Sequence, residues 1–211
     1  KKKLNILNAK GNVEIINKVE DYILYTEEIT YEMSQEKFFT QGYTEAIIQS
    51  KYNFKSENVV FFKNEMRLIS SDKSTLEDAE KSTIYKLDEF EYYINEQILK
   101  GQNILVITNY LKPKSDKTYF VNGIFDFKSS KFSAKDTKIL LHKNLFNKER
   151  VYDDNANNIE KKKIKQFEGK NDPRIYGVSS SGNKNQTIIN KGIFTSCKKN
   201  DNCPPWSLKA D

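Results

Sequence analysis

An eight-residue pattern recurs through the first two thirds of the chain, and its alternation breaks at the same place in each copy. The segments LYTEEITY (24–31), FKSENVVF (54–61) and YKLDEFEY (85–92) begin with an apolar residue and carry an acid three positions on. Apolar residues follow at five and seven positions on. A fourth copy, FVNGIFDF (120–127), keeps the apolar positions and has Gly123 where the acid stood. The copies start at residues 24, 54, 85 and 120, giving spacings of 30, 31 and 35. Side chains of a strand alternate strictly between two faces. Leu24 on one side, with Ile29 and Tyr31 on the other, therefore cannot share a face of a regular strand. A bulge or corner near Thr26, Glu27 and Glu28 is needed to change the phase. Its recurrence predicts strands that bend at one common height, stacked in units that bury their faces against their neighbours.

Composition agrees with half-buried strands. Only 37% of the 211 residues are apolar and 30% are charged, yet the chain holds 12 Tyr and 13 Phe. Aromatic and β-branched residues suit a pleated surface with one wet face. Further strands are expected over residues 11–16, 38–48, 66–69, 104–108 and 132–141, with turn clusters at 70–73 and 112–116. Residues 151–172 read as a polar insertion that includes the basic run IEKKKIKQF (159–167). Strand character resumes at 174–178, 187–190 and 192–196. No run approaches the roughly 18–20 apolar residues of a spanning helix. The start at Lys1, with no apolar leader and no Met, leads us to expect a piece of a longer protein.

The residue inventory points away from catalysis and metal chemistry. His142 is the only histidine, which excludes a multi-histidine zinc site. It closes the apolar run 139–141 and reads as structural. No phosphate-binding glycine loop, dinucleotide fingerprint, HExxH or GxSxG occurs, and no cofactor is expected. A net charge of +6 favours anionic partners, nucleic acid or phosphorylated lipid among them. Cys197 and Cys203 are the only cysteines. In an oxidising compartment they either bridge each other or bond to cysteines beyond this chain.

The closing run GIFTSC (192–197), followed by PPWSLKA (204–210), resembles the segment that ends the N-terminal domain of the LptD (OstA) family of lipopolysaccharide-assembly outer-membrane proteins. Gly11, Asn12 and Val13 are similar to the family's Gly-Asn-Val strand starts. Thr26-Glu27 and Ser56-Glu57 stand where the related repeats carry Ala-Asp. The resemblance implies an all-β fold: an elongated, open, V-shaped antiparallel β-jellyroll over residues 1–196. Residues 197–211 would form a cysteine-bearing connector toward an outer-membrane barrel. The implied function is non-catalytic. A periplasmic module would pass lipopolysaccharide acyl chains along an apolar trough toward the outer membrane.

On this resemblance the trough is lined, as a set, by Leu24, Ile29, Tyr31, Phe54, Val59, Phe61, Phe90, Tyr92, Phe125 and Phe127. Implied partners are lipopolysaccharide and an LptA-like periplasmic bridge protein joined by strand addition. An LptE-like lipoprotein would act through the full-length protein, and nucleic acid is not expected. Cys197 matches a family cysteine that bonds to the barrel in some members, but Cys203 follows closely, and a Cys197–Cys203 disulfide is the expectation for this chain. Two other readings are a soluble bridge or scaffold component of the same pathway and an unrelated β-solenoid surface protein. The Cys/Trp terminus argues against the first, and the irregular spacings argue against the second.

Overall fold

The structure is a computed structural model that describes residues 5–111, 115–141, 173–196 and 207–210. Within these residues the protein is all-β. The strands are β1 Ile6–Asn17, β2 Tyr22–Glu32, β3 Lys37–Ile48, β4 Tyr52–Glu57, β5 Val60–Phe62, β6 Arg67–Ser70, β7 Ser74–Asp78 and β8 Thr83–Leu87. They continue with β9 Glu89–Tyr93, β10 Ile98–Thr108, β11 Asp116–Asp126, β12 Lys131–Leu140, β13 Arg174–Gly182, β14 Thr187–Asn190, β15 Gly192–Thr195 and β16 Leu208–Ala210. A single three-residue 3-10 turn, Lys63–Glu65, separates β5 from β6.

All pairings are antiparallel. Strand β3 pairs through residues 43–48 with β4 and through 37–39 with β5. From there the sheet divides into two branches, β4–β7–β8 and β5–β6–β9, which rejoin on the two halves of β10. The eight strands β3, β4, β7, β8, β10, β9, β6 and β5 thus close an antiparallel barrel, and the remaining strands extend from it. Strands β4 and β5 are halves of one run, as are β6 with β7 and β8 with β9. Each run is about eleven residues long and is broken at its middle.

The break is the phase change expected from the sequence. In β2 the buried positions step from Tyr22, Leu24 and Thr26 to Ile29, and the β2–β3 ladder shifts register between Thr26 and Glu28. In β4–β5 they step from Tyr52, Phe54 and Ser56 to Val59 and Phe61, and in β8–β9 from Tyr85 and Leu87 to Phe90 and Tyr92. The recurring acid sits at the corner itself. Glu27 and Glu57 are exposed there, where a charged side chain meets water. Successive runs are joined mostly by four-residue turns, so two runs make up the spacing near 30. The longer link between β10 and β11 accounts for the spacing of 35.

Left-handed backbone marks the corner on several runs, at Gly11, Asn12, Gly42, Asn58, Asn103 and Asp136. Asn58 shows why such residues occur there. Its N–H donates to the Gly42 carbonyl (3.2 Å) and its Oδ1 accepts from the Gly42 N–H (3.1 Å). Its side-chain amide donates to Asp72 (3.0 Å), tying three runs together where the ladder lapses.

Inside the corner runs a seam of buried hydroxyls. Thr40 Oγ1 accepts from the Val59 N–H (2.8 Å), and the Thr44 hydroxyl donates to Thr40 (2.7 Å). Ser56 bonds Ser70 (2.9 Å) and Ser74 (2.7 Å), and Thr137 bonds Ser180 (2.6 Å). These side chains satisfy polar groups that the interrupted ladder would otherwise leave buried and unpaired. Residues 70–73, expected as a turn cluster between strands, form the bend of this corner between β6 and β7. Their Ser and Asp content serves a bend within one run, which carries the same local chemistry as a turn.

The two branches face each other as walls, and aromatic rings join them. Phe54 of β4 lies 5.3 Å from Phe90 and 4.7 Å from Tyr92, both of β9. Tyr22 meets Phe61 at 5.3 Å, and Tyr52 meets Tyr92 at 6.2 Å. Tyr52, Tyr92, Ile48, Leu76 and Leu99 are fully buried between the walls. Ring centroids at these separations match favourable edge-to-face and offset geometries.

Candidate functional site

Past β10 the walls part around a half-open cavity of about 450 Å3. One wall supplies Tyr85, Val106, Phe120 and Ile139, and the other supplies Phe125 and Phe132. Phe120, Phe125 and Phe132 form a ring cluster with centroids 5.8 to 6.1 Å apart. The inner end is shut by rings: Tyr85 lies 5.4 Å from Phe125 and 5.3 Å from Phe127, and Phe127 stacks on Tyr52 at 5.3 Å.

Small residues clear the space in front of these rings. Gly101 pairs with Gly123, which pairs with Ala134, which pairs with Ser180, forming a row across four strands. A Cβ on Gly123 would stand 2.9 Å from the Phe125 ring and 3.0 Å from Ile104. The missing side chain lets Phe125 lie close against its own wall.

Exposed lysines stand at the mouth. Lys81, Lys131 and Lys184 all border the cavity, as does Asp126. The Lys81 ammonium is 3.8 Å from the buried Asp78 carboxylate and 5.8 Å from the Phe127 ring centre. Asp126 accepts from the Ser129 hydroxyl (2.5 Å) and N–H (2.9 Å), and these bonds hold its carboxyl below the usual range. Lys131 faces Asp126 across the β11–β12 ladder, and its charge adds to what holds that carboxyl down; Lys184 forms no ion pair among the described residues. Burial beside the cavity pushes the Tyr85 phenol well above its ordinary range, so it stays neutral. No group of three or more His, Cys, Asp or Glu among the described residues is placed to hold a metal ion.

Nine of the ten residues expected to line a trough are buried and the tenth, Tyr31, is half-buried; only two of them border the cavity. Phe54, Val59, Phe61, Phe90 and Tyr92 are buried at 0–4% exposure within the core of the closed barrel, and Leu24 and Ile29, at 3% and 4%, are buried on the adjoining β2. Tyr31 is half-buried and stacks on Phe38 at 4.2 Å. Only Phe125 and Phe127 border the cavity. The cavity also uses Tyr85 and Phe120, the first apolar positions of the third and fourth copies of the repeat. Val106, Phe132, Ile139 and the mouth lysines lie outside the repeat.

His142, the insertion 151–172 and the cysteine pair Cys197 and Cys203 lie outside the described residues, as does Trp206. After Thr195 the last described strand, β16, lies antiparallel on β15, with Gly192 opposite Ala210. No known protein family matches the sequence, and no curated protein matches it.

Proposed function

We propose that this chain is a non-catalytic lipid-carrying module of the lipopolysaccharide-assembly type, the periplasmic open jellyroll of an LptD-like outer-membrane protein. The observation that carries this reading is the apolar cavity between two β walls, bordered by exposed lysines. Acyl chains gain roughly 0.8 kcal/mol for each methylene taken out of water. An apolar space beside cations suits an amphiphile with anionic groups. Strands folded at a common corner, with an aromatic interior, fit a jellyroll that opens toward one end.

The free side of β1 suits the expected bridge protein. Among the described residues β1 pairs only with β2, and Ile6, Leu7 and Ile16 on it are 48%, 55% and 52% exposed. An unpaired edge with apolar side chains is a template for strand addition by an LptA-like partner. An LptE-like lipoprotein would be engaged through the barrel of the full-length protein.

Photo-crosslinking in lipopolysaccharide-producing cells tests the reading, with the crosslinker placed at Phe125 or Phe132. Lipopolysaccharide adducts are expected there and are not expected from Val121, which points outward at 45% exposure. Equal labelling from Val121, or none from the cavity positions, would refute the assignment.

A further inference from the structure

We infer that the cavity between β10 and β13 is a site for one single-chain amphiphile with an anionic headgroup, a carboxylate or a phosphate. The inference rests on the lipid-carrying reading and narrows what this cavity holds at one time. A volume of about 450 Å3 holds about fifteen groups the size of a water, at ~30 Å3 each, and a methylene is of similar size. That is one long acyl chain. The Tyr52, Tyr85 and Phe127 rings pack against one another beside the cavity, and a volume of this size matches one chain and not several.

Charge at the mouth selects the headgroup. Three exposed lysines, Lys81, Lys131 and Lys184, border the cavity against one bordering carboxylate, Asp126, which Ser129 holds; Lys81 also lies 3.8 Å from Asp78, outside the lining. Lys184 forms no ion pair among the described residues. Lys131, which faces Asp126 across the β11–β12 ladder, makes no ion pair closer than 4 Å, so both ammonium groups can turn to an incoming anion. Thr108, Thr118 and Ser180 also border the cavity. The result is an apolar pocket of limited volume beside a cationic rim, which reads chain length and headgroup sign separately.

Titration calorimetry on the whole chain tests both, using alkyl carboxylates, alkyl phosphates and alkyl trimethylammonium ions of eight to eighteen carbons below their micelle concentrations. Affinity for the anions is expected to rise up to about fourfold per added methylene, then level off once the chain fills the pocket. Trimethylammonium probes of equal length should bind at least tenfold more weakly. A Lys131→Ala, Lys184→Ala double variant should lose that preference and still melt at the parent temperature, because both side chains are exposed. Phe132→Trp should shorten the longest chain accepted. Tighter binding of either the carboxylate or the phosphate supports the site and identifies its headgroup.

Affinity that climbs with no plateau, or equal affinity for both headgroup signs, would overturn the inference in favour of surface adsorption. Its failure is separable from failure of the transport reading. Lipopolysaccharide adducts at Phe125 without single-chain binding remove the inference alone, whereas single-chain binding without those adducts removes the transport reading and leaves the site.

Discussion

The contact between Phe54 and Phe90 is where the two walls of this fold are predicted to depend on each other. Both rings are 3% exposed and lie 5.3 Å apart, near stacking at 28°. Replacing either by leucine removes the ring but keeps apolar bulk, and each change is expected to cost about 1–2 kcal/mol. An aromatic pair of this geometry contributes about 0.5–1.5 kcal/mol beyond area burial, and the first substitution forfeits it. The double variant should therefore be more stable than the sum of the single losses by about 1 kcal/mol. Urea unfolding followed by far-ultraviolet circular dichroism gives all four corners of the cycle. Phe54→Leu combined with Phe132→Leu is the control, since the ring partners of Phe132 are Phe120 and Phe125. That pair should add within about 0.5 kcal/mol. Additivity within ~0.3 kcal/mol for Phe54 and Phe90 would refute wall-to-wall packing and leave a ring of strands around an unfilled centre.

Two further outcomes follow from the corner and the outer face. Gly42 sits at φ +82° with open space where a Cβ would go, its nearest neighbour being a Glu27 carboxylate oxygen at 3.8 Å. Gly42→Ala should therefore cost about 1–2 kcal/mol through backbone strain alone, read as a lower melting temperature, with Gly42→Asn costing less. Burial alone would raise the Glu91 carboxyl, but Arg67 at 2.6 Å, Tyr93 and Lys100 hold it below the ordinary 4.5. The folded state thus binds that proton less tightly than the unfolded chain. Its stabilisation is present above about pH 4.5 and is lost as pH falls through the lower folded value. Glu91→Gln should lower stability at pH 7 by less than about 1 kcal/mol and flatten the acid limb below pH 4.5, measured by urea unfolding across pH.

The corner was legible in the sequence because it leaves a local trace. A parity change over five residues, as from Leu24 to Ile29, can be read without knowing any partner strand. The same locality made the turn cluster at 70–73 legible, while its Ser and Asp content could not tell a bend inside a run from a reversal between runs. The cavity leaves no such trace. Gly101, Gly123, Ala134 and Ser180 form a row only once register brings them side by side. The mouth lysines are three among 35 basic residues, with nothing local to set them apart. Inward orientation of Phe54 and Phe125 could be read from alternation. That Phe54 fills a closed core while Phe125 borders open space depends on where the walls diverge, which is a property of the assembled sheet.

The folded meander also sets the increment by which such a stack could grow. Among the described residues, from β1 through β13 each run pairs only with the runs before and after it in the chain, and successive runs are antiparallel. Adding one run would invert which wall each later segment enters first, sending every corner residue after it to the wrong position. Adding two runs, about 31 residues, restores direction, register and corner together. Length in this architecture is therefore quantised in hairpins, and a lineage could lengthen or shorten it without redesigning either end.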